Sequence, residues 1–341
     1  MITEAKYTLL KYLRKFHWFK WHEFKLLNKG HLEELYPAYA CSNEPCDSYC
    51  QEVISIHDKH YETGGLVDRI RGIVSAYHIC LQHNIPLKIY WKTPFRLEEF
   101  LEPNEVDWTI KDEDICWTKP EAHILSAEIS EESMWQERRI RNIICHDIKT
   151  IKCKQIHLYS NSRLAYEEGV FVKYYNKLFK PSEKLKAAIE KELALIGKNY
   201  ITVQCRFVGQ LGDFKDNIST VWSDDEQKRL INKLIAEIDS IHSAYNHDMP
   251  LLICTDSKKF RKEVLKKLSY AYAIEGDIIH IDYAKGSDDD ANMKVFLDLY
   301  MMSKASHIYR LATKEMRLSG MPYMASLIGE KPLTDIVIDT I

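Results

Sequence analysis

An arginine inside an otherwise apolar strand is costly to bury unless something answers its charge. The segment Val203-Gln204-Cys205-Arg206-Phe207-Val208-Gly209 puts one there. Guanidinium grips phosphate through two parallel hydrogen bonds, so a diphosphate ligand would supply the counter-charge; an ion pair with Asp213 is the structural alternative. A second candidate is the turn Gly64-Gly65-Leu66-Val67-Asp68-Arg69-Ile70-Arg71-Gly72. Two glycines let the backbone turn tightly and open N–H groups at a helix start to an anion. The turn lacks the full dinucleotide fingerprint, and it reads equally as an ordinary strand-to-helix turn in which Asp68 and Arg69 form a charge pair. Thr255-Asp256-Ser257 offers an acid to a ribose or base, although Asp and Ser also start helices well. Ser319, ahead of Gly320-Met321-Pro322-Tyr323, can cap a helix and hold a phosphate oxygen.

These residues need strands to carry them. Val53–His57 is short and apolar, the glycine turn follows, and Ile70, Ile73, Val74, Tyr77 and Leu81 recur at helical spacing before Asn84-Ile85-Pro86 and the next strand, Leu87–Trp91. Strand, glycine turn, helix, strand is a βαβ unit and predicts a parallel sheet. Further strands are expected at His123–Ile129 and Gln155–Tyr159, and a helix at 182–196 behind Pro181. A second series follows: strands at Tyr200–Phe207, Pro250–Thr255, Asp277–Ile281 and Ser306–Tyr309, with helices at Asp224–His242, Lys258–Lys267 and Val295–Lys304. The expected division is a helical strap over 1–52, an α/β domain over 53–180, a linker helix over 181–199 and a second α/β domain over 200–341. Ligands of such sheets bind beyond the carboxyl ends of the strands, and two such domains can turn those ends toward one cleft.

The chain has 341 residues, 45% of them hydrophobic and 28% charged, which excludes wholesale disorder and rod-like repeats. A net charge of −3 lacks the basic excess of a nucleic-acid binder, and no nucleic-acid partner is expected. No apolar run is long enough for a membrane helix, and the N-terminus does not read as a signal peptide. Its first 30 residues hold seven bases against two acids, with Trp18, Phe19, Trp21 and Phe24 among them. A helix over 4–27 of this kind either straps the body of the protein or lies on an anionic membrane surface. Nine scattered cysteines fit reduced thiols in the cytoplasm. Cys41, Cys46 and Cys50 miss the tight spacing of structural zinc sites, and no metal site is expected. Two acidic runs, Asp112–Asp114 and Asp288–Asp290, read as solvated loops, with a divalent-cation site as the alternative.

In their order, the Gly-Gly turn, the arginine strand opening the second half, Thr-Asp-Ser and the helix–strand–Ser-Gly-x-x-x-x-Ala segment resemble the GT-B fucosyltransferase superfamily over roughly residues 60–330. That superfamily includes bacterial α-1,2- and α-1,6-fucosyltransferases and protein O-fucosyltransferases. Trp91-Lys92-Thr93-Pro94-Phe95 and Asp298…Ser303 are similar to stretches of bacterial sugar transferases. The resemblance implies two Rossmann-like domains facing a cleft. It implies inverting, metal-independent transfer of fucose from GDP-fucose or a related donor to a glycan acceptor, without a cofactor, in polysaccharide biosynthesis in a bacterial cytoplasm. It casts Arg206 as the holder of the donor β-phosphate and Asp256, with Ser257, as the contact to the nucleotide. Ser319 and Tyr323 fall in the phosphate-contacting segment, and Gly64, Gly65 and Arg69 in the turn facing the donor. Asp68 stands in that turn as a candidate general base. The chain departs from the family pattern at Gln204, where histidine is expected, at Val67-Asp68 in place of Gly-Asn, and at Met321-Pro322 in place of Phe and a second Ser. A nucleotide- or glycan-binding relative without turnover is the non-enzyme alternative.

Overall fold

The computed structural model describes residues 13, 16–61, 64–128, 134–164, 168–214, 220–276 and 289–339. The start of the expected helix over 4–27, the expected strand at Asp277–Ile281 and Asp288 lie outside them. The chain divides into two units, Met1–Arg96 with Pro103–Phe179, and Leu97–Glu102 with Lys180–Ile341.

The first unit is built on four parallel strands: β1 (Glu52–His57), β2 (Leu87–Trp91), β3 (Ala122–Ser126) and β4 (Gln155–Tyr159), in the spatial order β2-β1-β4-β3. β1 and β4 are buried along their whole length apart from Glu52, as apolar runs in the middle of a parallel sheet must be. The helix Leu66–His83 joins β1 to β2 and buries Ile70, Ile73, Val74 and Tyr77, ending at Asn84 in the left-handed conformation. The N-terminal helix spans His17–Leu35, longer at its end than the strap expected over 4–27. Leu35 and Tyr39 join the core beside Ile54, Ile56, Ile124 and Tyr159, and that burial carries the helix past Gly30. The helix docks on β3 and on the helix Met134–Thr150. The latter and the helix Glu168–Leu178 fall where no element was expected.

The second unit has five parallel strands: β5 (Ile201–Cys205), β6 (Leu251–Thr255), β7 (Ala271–Tyr272), β8 (His307–Thr313) and β9 (Leu333–Ile338). Their order is β7-β6-β5-β8-β9. From β5 the chain moves outward through β6 to β7, then returns to lay β8 against the other side of β5. Right-handed crossovers in opposite directions place their helices on opposite faces. The helices Asp224–Ser243 and Lys258–Lys267 pack together beside Ile201, Val203 and Cys205, while Asp289–Lys304 packs with Gly320–Gly329. The sheet is doubly wound, and its direction reverses between β5 and β8. β9, an edge strand with alternating exposure, was not expected.

Candidate functional site

In a doubly wound sheet the carboxyl ends of the two strands flanking the reversal diverge and leave a crevice for a ligand. Here those strands are β5 and β8. β5 stops at Cys205, two residues earlier than expected, so Arg206 is the first residue beyond it and is half-buried. The cause is Asp256 at the end of β6. Its Oδ1 accepts from the Phe207 amide and its Oδ2 from the Val208 amide, both at 2.8 Å. Those bonds draw the backbone away from the ladder. Burial pushes the Asp256 carboxyl up from its ordinary range, while the two amides and the Arg206 charge pull it back. Val208 has φ +52°, an outlier for a β-branched residue, and Gly209 and Gly212 follow at +89° and +77°. A strained turn of this kind costs about 1–3 kcal/mol and persists where its surroundings over-determine it.

The other arm reaches toward the same turn. Gln210 Nε2 donates to the Glu315 carbonyl, beyond β8, at 3.0 Å, which ties the two loops together. Gln210 Oε1 and Thr313 Oγ1, at the end of β8, are buried without a hydrogen-bond partner. Unsatisfied buried polar atoms are rare and costly, and both stand at the reversal. Ser319 is buried and caps the helix Gly320–Gly329, accepting from the Met321 amide. Its carbonyl accepts from Arg310, whose Nε also bonds Asp335. Tyr323 lies one turn into that helix, partly exposed. Ser257 is fully buried: its hydroxyl accepts from the Phe260 amide and donates to Asp213 Oδ2. Asp213 Oδ2 also accepts from the Lys259 amide, so both side chains serve the start of the helix Lys258–Lys267. Arg206, Asp256 and Ser257 therefore gather at the ends of β5 and β6, with Ser319 and Tyr323 on the segment after β8.

In the first unit Gly64 takes φ +83°, and Gly65 precedes the helix with extended backbone. Arg69 is buried: its Nε donates to the Gly64 carbonyl at 2.7 Å, its Nη1 to the Thr93 carbonyl at 2.5 Å, and its guanidinium lies 4.9 Å from the Trp91 ring. It pins the glycine turn to the segment after β2. Asp68 is 43% exposed and pairs with Arg71 at 2.9 Å, not with Arg69. Gly72 fills the part of a third glycine in a different way, because a Cβ there would fall 2.1 Å from the Ser160 carbonyl oxygen just beyond β4.

Residues that spacing did not reveal gather at the same edge. Asp58, the residue after β1, is buried and accepts the His60 amide at 2.9 Å and His60 Nδ1 at 2.7 Å. Trp117 lies against the His60 ring. Tyr39 bonds both Tyr159 and His157. Tyr61 donates to Glu128, which His31 approaches at 3.8 Å. The only available signal was the run His57-Asp58-Lys59-His60-Tyr61 directly after a strand. Among the described residues, no group of three or more His, Cys, Asp and Glu is placed to hold a metal ion. Asp112 pairs with Lys92 at 2.5 Å.

No protein-family model matches the chain, and no curated protein matches it. Solved structures do. NodZ α-1,6-fucosyltransferase, in a crystal soaked with GDP-fucose, superposes with a TM-score of 0.53 at 13% identity, covering 82% of this chain and 93% of that one. The chain has a fold of the GT-B type. NodZ from Bradyrhizobium gives a TM-score of 0.52, again at 13% identity, over 82% and 94% of the two chains. FUT1 from Arabidopsis thaliana, in complex with GDP, gives 0.51 at 10% identity over 92% of this chain and 74% of that one. No helix among the described residues is long and apolar enough to cross a membrane.

Proposed function

We propose that this protein is a glycosyltransferase that moves fucose from GDP-fucose to a glycan acceptor, with inversion and without a metal ion. The observation that carries the reading is the strained turn after β5, clamped by Asp256, which presents Arg206 where a doubly wound sheet binds its ligand. The likeness of the fold to proteins crystallised with GDP-fucose and GDP supports the choice of donor.

Transfer needs the leaving diphosphate stabilised and the acceptor hydroxyl deprotonated. A fixed cation does the first most effectively when it is held before the bond breaks, since no reorganisation is then needed. Arg206 has that role. Asp256 fixes the backbone on either side of it rather than offering free oxygens to the nucleotide, because both of its oxygens already hold amides. Gln210 Oε1 and Thr313 Oγ1 are acceptors suited to donor N–H or O–H groups. Ser319 and Tyr323 contribute the helix start on the far side of the reversal. Gly64, Gly65 and Arg69 shape the turn after β1. The same reading places the protein in a bacterial cytoplasm, in polysaccharide assembly. It includes peripheral contact with an anionic membrane surface through residues 4–27, where Trp18 and Leu26 stand exposed.

A thermal-shift panel of GDP-fucose, GDP-mannose, UDP-sugars and dTDP-sugars tests the donor. A ligand at one hundred times its Kd adds about 2.7 kcal/mol to the folded state, and GDP-fucose is expected to give the largest shift. Transfer is expected to persist in EDTA. A shift confined to UDP- or dTDP-sugars, or activity abolished by EDTA and restored by Mn²⁺, would overturn the reading.

A further inference from the structure

The buried Asp58 carboxylate and the His60 ring it holds form a catalytic pair, and we propose that His60 is the general base that deprotonates the acceptor hydroxyl, with Asp58 as its positioning residue. The proposal rests on the sugar-transfer reading above and names the group that reading lacks. It also replaces Asp68, which the glycine turn suggested for the role.

The geometry assigns the parts. Asp58 Oδ2 lies 2.7 Å from His60 Nδ1, and Oδ1 accepts the His60 amide at 2.9 Å, so both carboxylate oxygens are used to fix one residue. A carboxylate only accepts, so Nδ1 carries the hydrogen, and in the neutral ring the lone pair is on Nε2. The Asp58 side chain is 6% exposed and that of His60 is 33% exposed, so the orienting acid is sheltered and the imidazole is partly open to solvent. This is the division of labour of a histidine base with a buried carboxylate behind it. Asp68, by contrast, is neutralised in place by Arg71 on a solvated helix face.

The surroundings suit a sugar hydroxyl. Trp117 and Tyr90, both half-buried, lie 6.1 Å apart, and Trp117 packs against His60 and Tyr39. Flat rings beside one placed polar group make a surface for the C–H face of a sugar. The titratable groups near the pair are Tyr39 before β1, Tyr90 on β2, and His157 and Tyr159 on β4. Burial raises all three phenols and lowers His157. All four are thus neutral near pH 7 and add no charge beside the pair. The further charges around the pair are Lys59, which lies between the two residues in the chain and is exposed, the paired Lys92 and Asp112, next to Tyr90, and Arg69, which bears on His57.

In the step itself the acceptor oxygen forms a bond to the anomeric carbon while the bond from that carbon to the β-phosphate oxygen breaks. The bonding pair leaves with GDP, and the acceptor proton passes to His60 Nε2. Asp58 stabilises the resulting imidazolium, which returns its proton to water.

The test follows GDP release from GDP-fucose, with water and a set of free disaccharides as acceptors, across pH, alongside calorimetric binding of GDP. His60→Gln is expected to lower kcat/KM by about 10²–10⁴ with GDP affinity unchanged, and to remove the acid limb of the pH profile. Asp58→Asn is expected to leave part of the rate and to displace that limb. His60→Ala is expected to recover activity when free imidazole is added, which a purely structural histidine would not allow. Wild-type rate and an unchanged pH profile in His60→Gln, with GDP still bound, would overturn the assignment and leave the sugar-transfer reading standing. Absence of GDP binding by the native protein would instead sink that reading and the base with it. A His60→Ala protein that is folded and inactive but not rescued by imidazole also counts against the base.

Discussion

At the residue scale the protein is governed by one carboxylate and one guanidinium in sequence-distant segments. Asp256 satisfies two amides of a turn that holds Val208 in a conformation β-branched residues avoid. Arg206 sits one residue before those amides, so its direction is set by them. Two substitutions separate charge from placement. Arg206→Ala is expected to reduce transfer about 10²–10³-fold, the usual effect of losing one donor to a developing anion, with the melting temperature little changed. Asp256→Ala keeps the guanidinium but strips the acceptor from the two buried amides that set its direction. A cost of about 1–3 kcal/mol in stability per orphaned group is expected, together with a fall in transfer comparable to that of Arg206→Ala. Denaturant unfolding and initial rates measured on the same samples check both. Full activity in a destabilised Asp256→Ala would detach the turn from the chemistry.

At the scale of elements, glycines report how closely the helices approach the backbone beneath them. A Cβ on Gly72 would meet the Ser160 carbonyl oxygen at 2.1 Å, and one on Gly329 would meet the Ser303 carbonyl oxygen at 1.9 Å. Neither obstacle is a flexible side-chain end, so the helix must move. Gly72→Ala is therefore expected to destabilise by about 1–3 kcal/mol and to displace the loop after β4, and Gly329→Ala to loosen its helix from Asp289–Lys304. Gly30 is the control. It lies inside the helix His17–Leu35 with no atom within 4 Å of an added Cβ, so Gly30→Ala is expected to stabilise by about 0.5–1 kcal/mol. Thermal melts of the three variants should fall on opposite sides of the native value.

At the scale of the whole molecule, acid sensitivity follows from histidines buried neutral. Burial lowers His157 from 6.5 to about 3, and holds His57 well below the same value with help from the Arg69 charge. A histidine that resists protonation in the fold but takes a proton when unfolded favours the native state above 6.5, and that advantage is lost as pH falls toward the folded value. Each such group costs about 1.4 kcal/mol per pH unit below 6.5. Asp256 and Asp298, raised by burial, act the other way: the fold takes up their protons first on acidification, a partial offset. Stability is expected to fall between pH 6.5 and 5, and His157→Gln to flatten the slope by one group's share. An equal slope in that variant would show that other groups govern the acid response.

Local pattern was enough to read the alternation of strands and helices, the parallel sheets and most element boundaries in the second half, because apolar periodicity is a property of neighbours in the chain. The motif order Gly-Gly, Arg, Thr-Asp-Ser, Ser-Gly carried the resemblance to the GT-B type of fold, since each motif is a short local run. It did not reach Asp58–His60, since nothing in a five-residue loop announces that a carboxylate will be buried behind an imidazole. It offered Ser257 as a helix start, but it did not foresee that both Asp256 oxygens are used on main-chain amides, that Asp213 joins Ser257 at that start, or that Asp68 faces Arg71. Nor did it show β9 or the helix Met134–Thr150, whose faces are defined only by what they cover. Those choices depend on which distant segments meet at a sheet's carboxyl edge, where burial decides whether a polar group is a partner, a cap or a base.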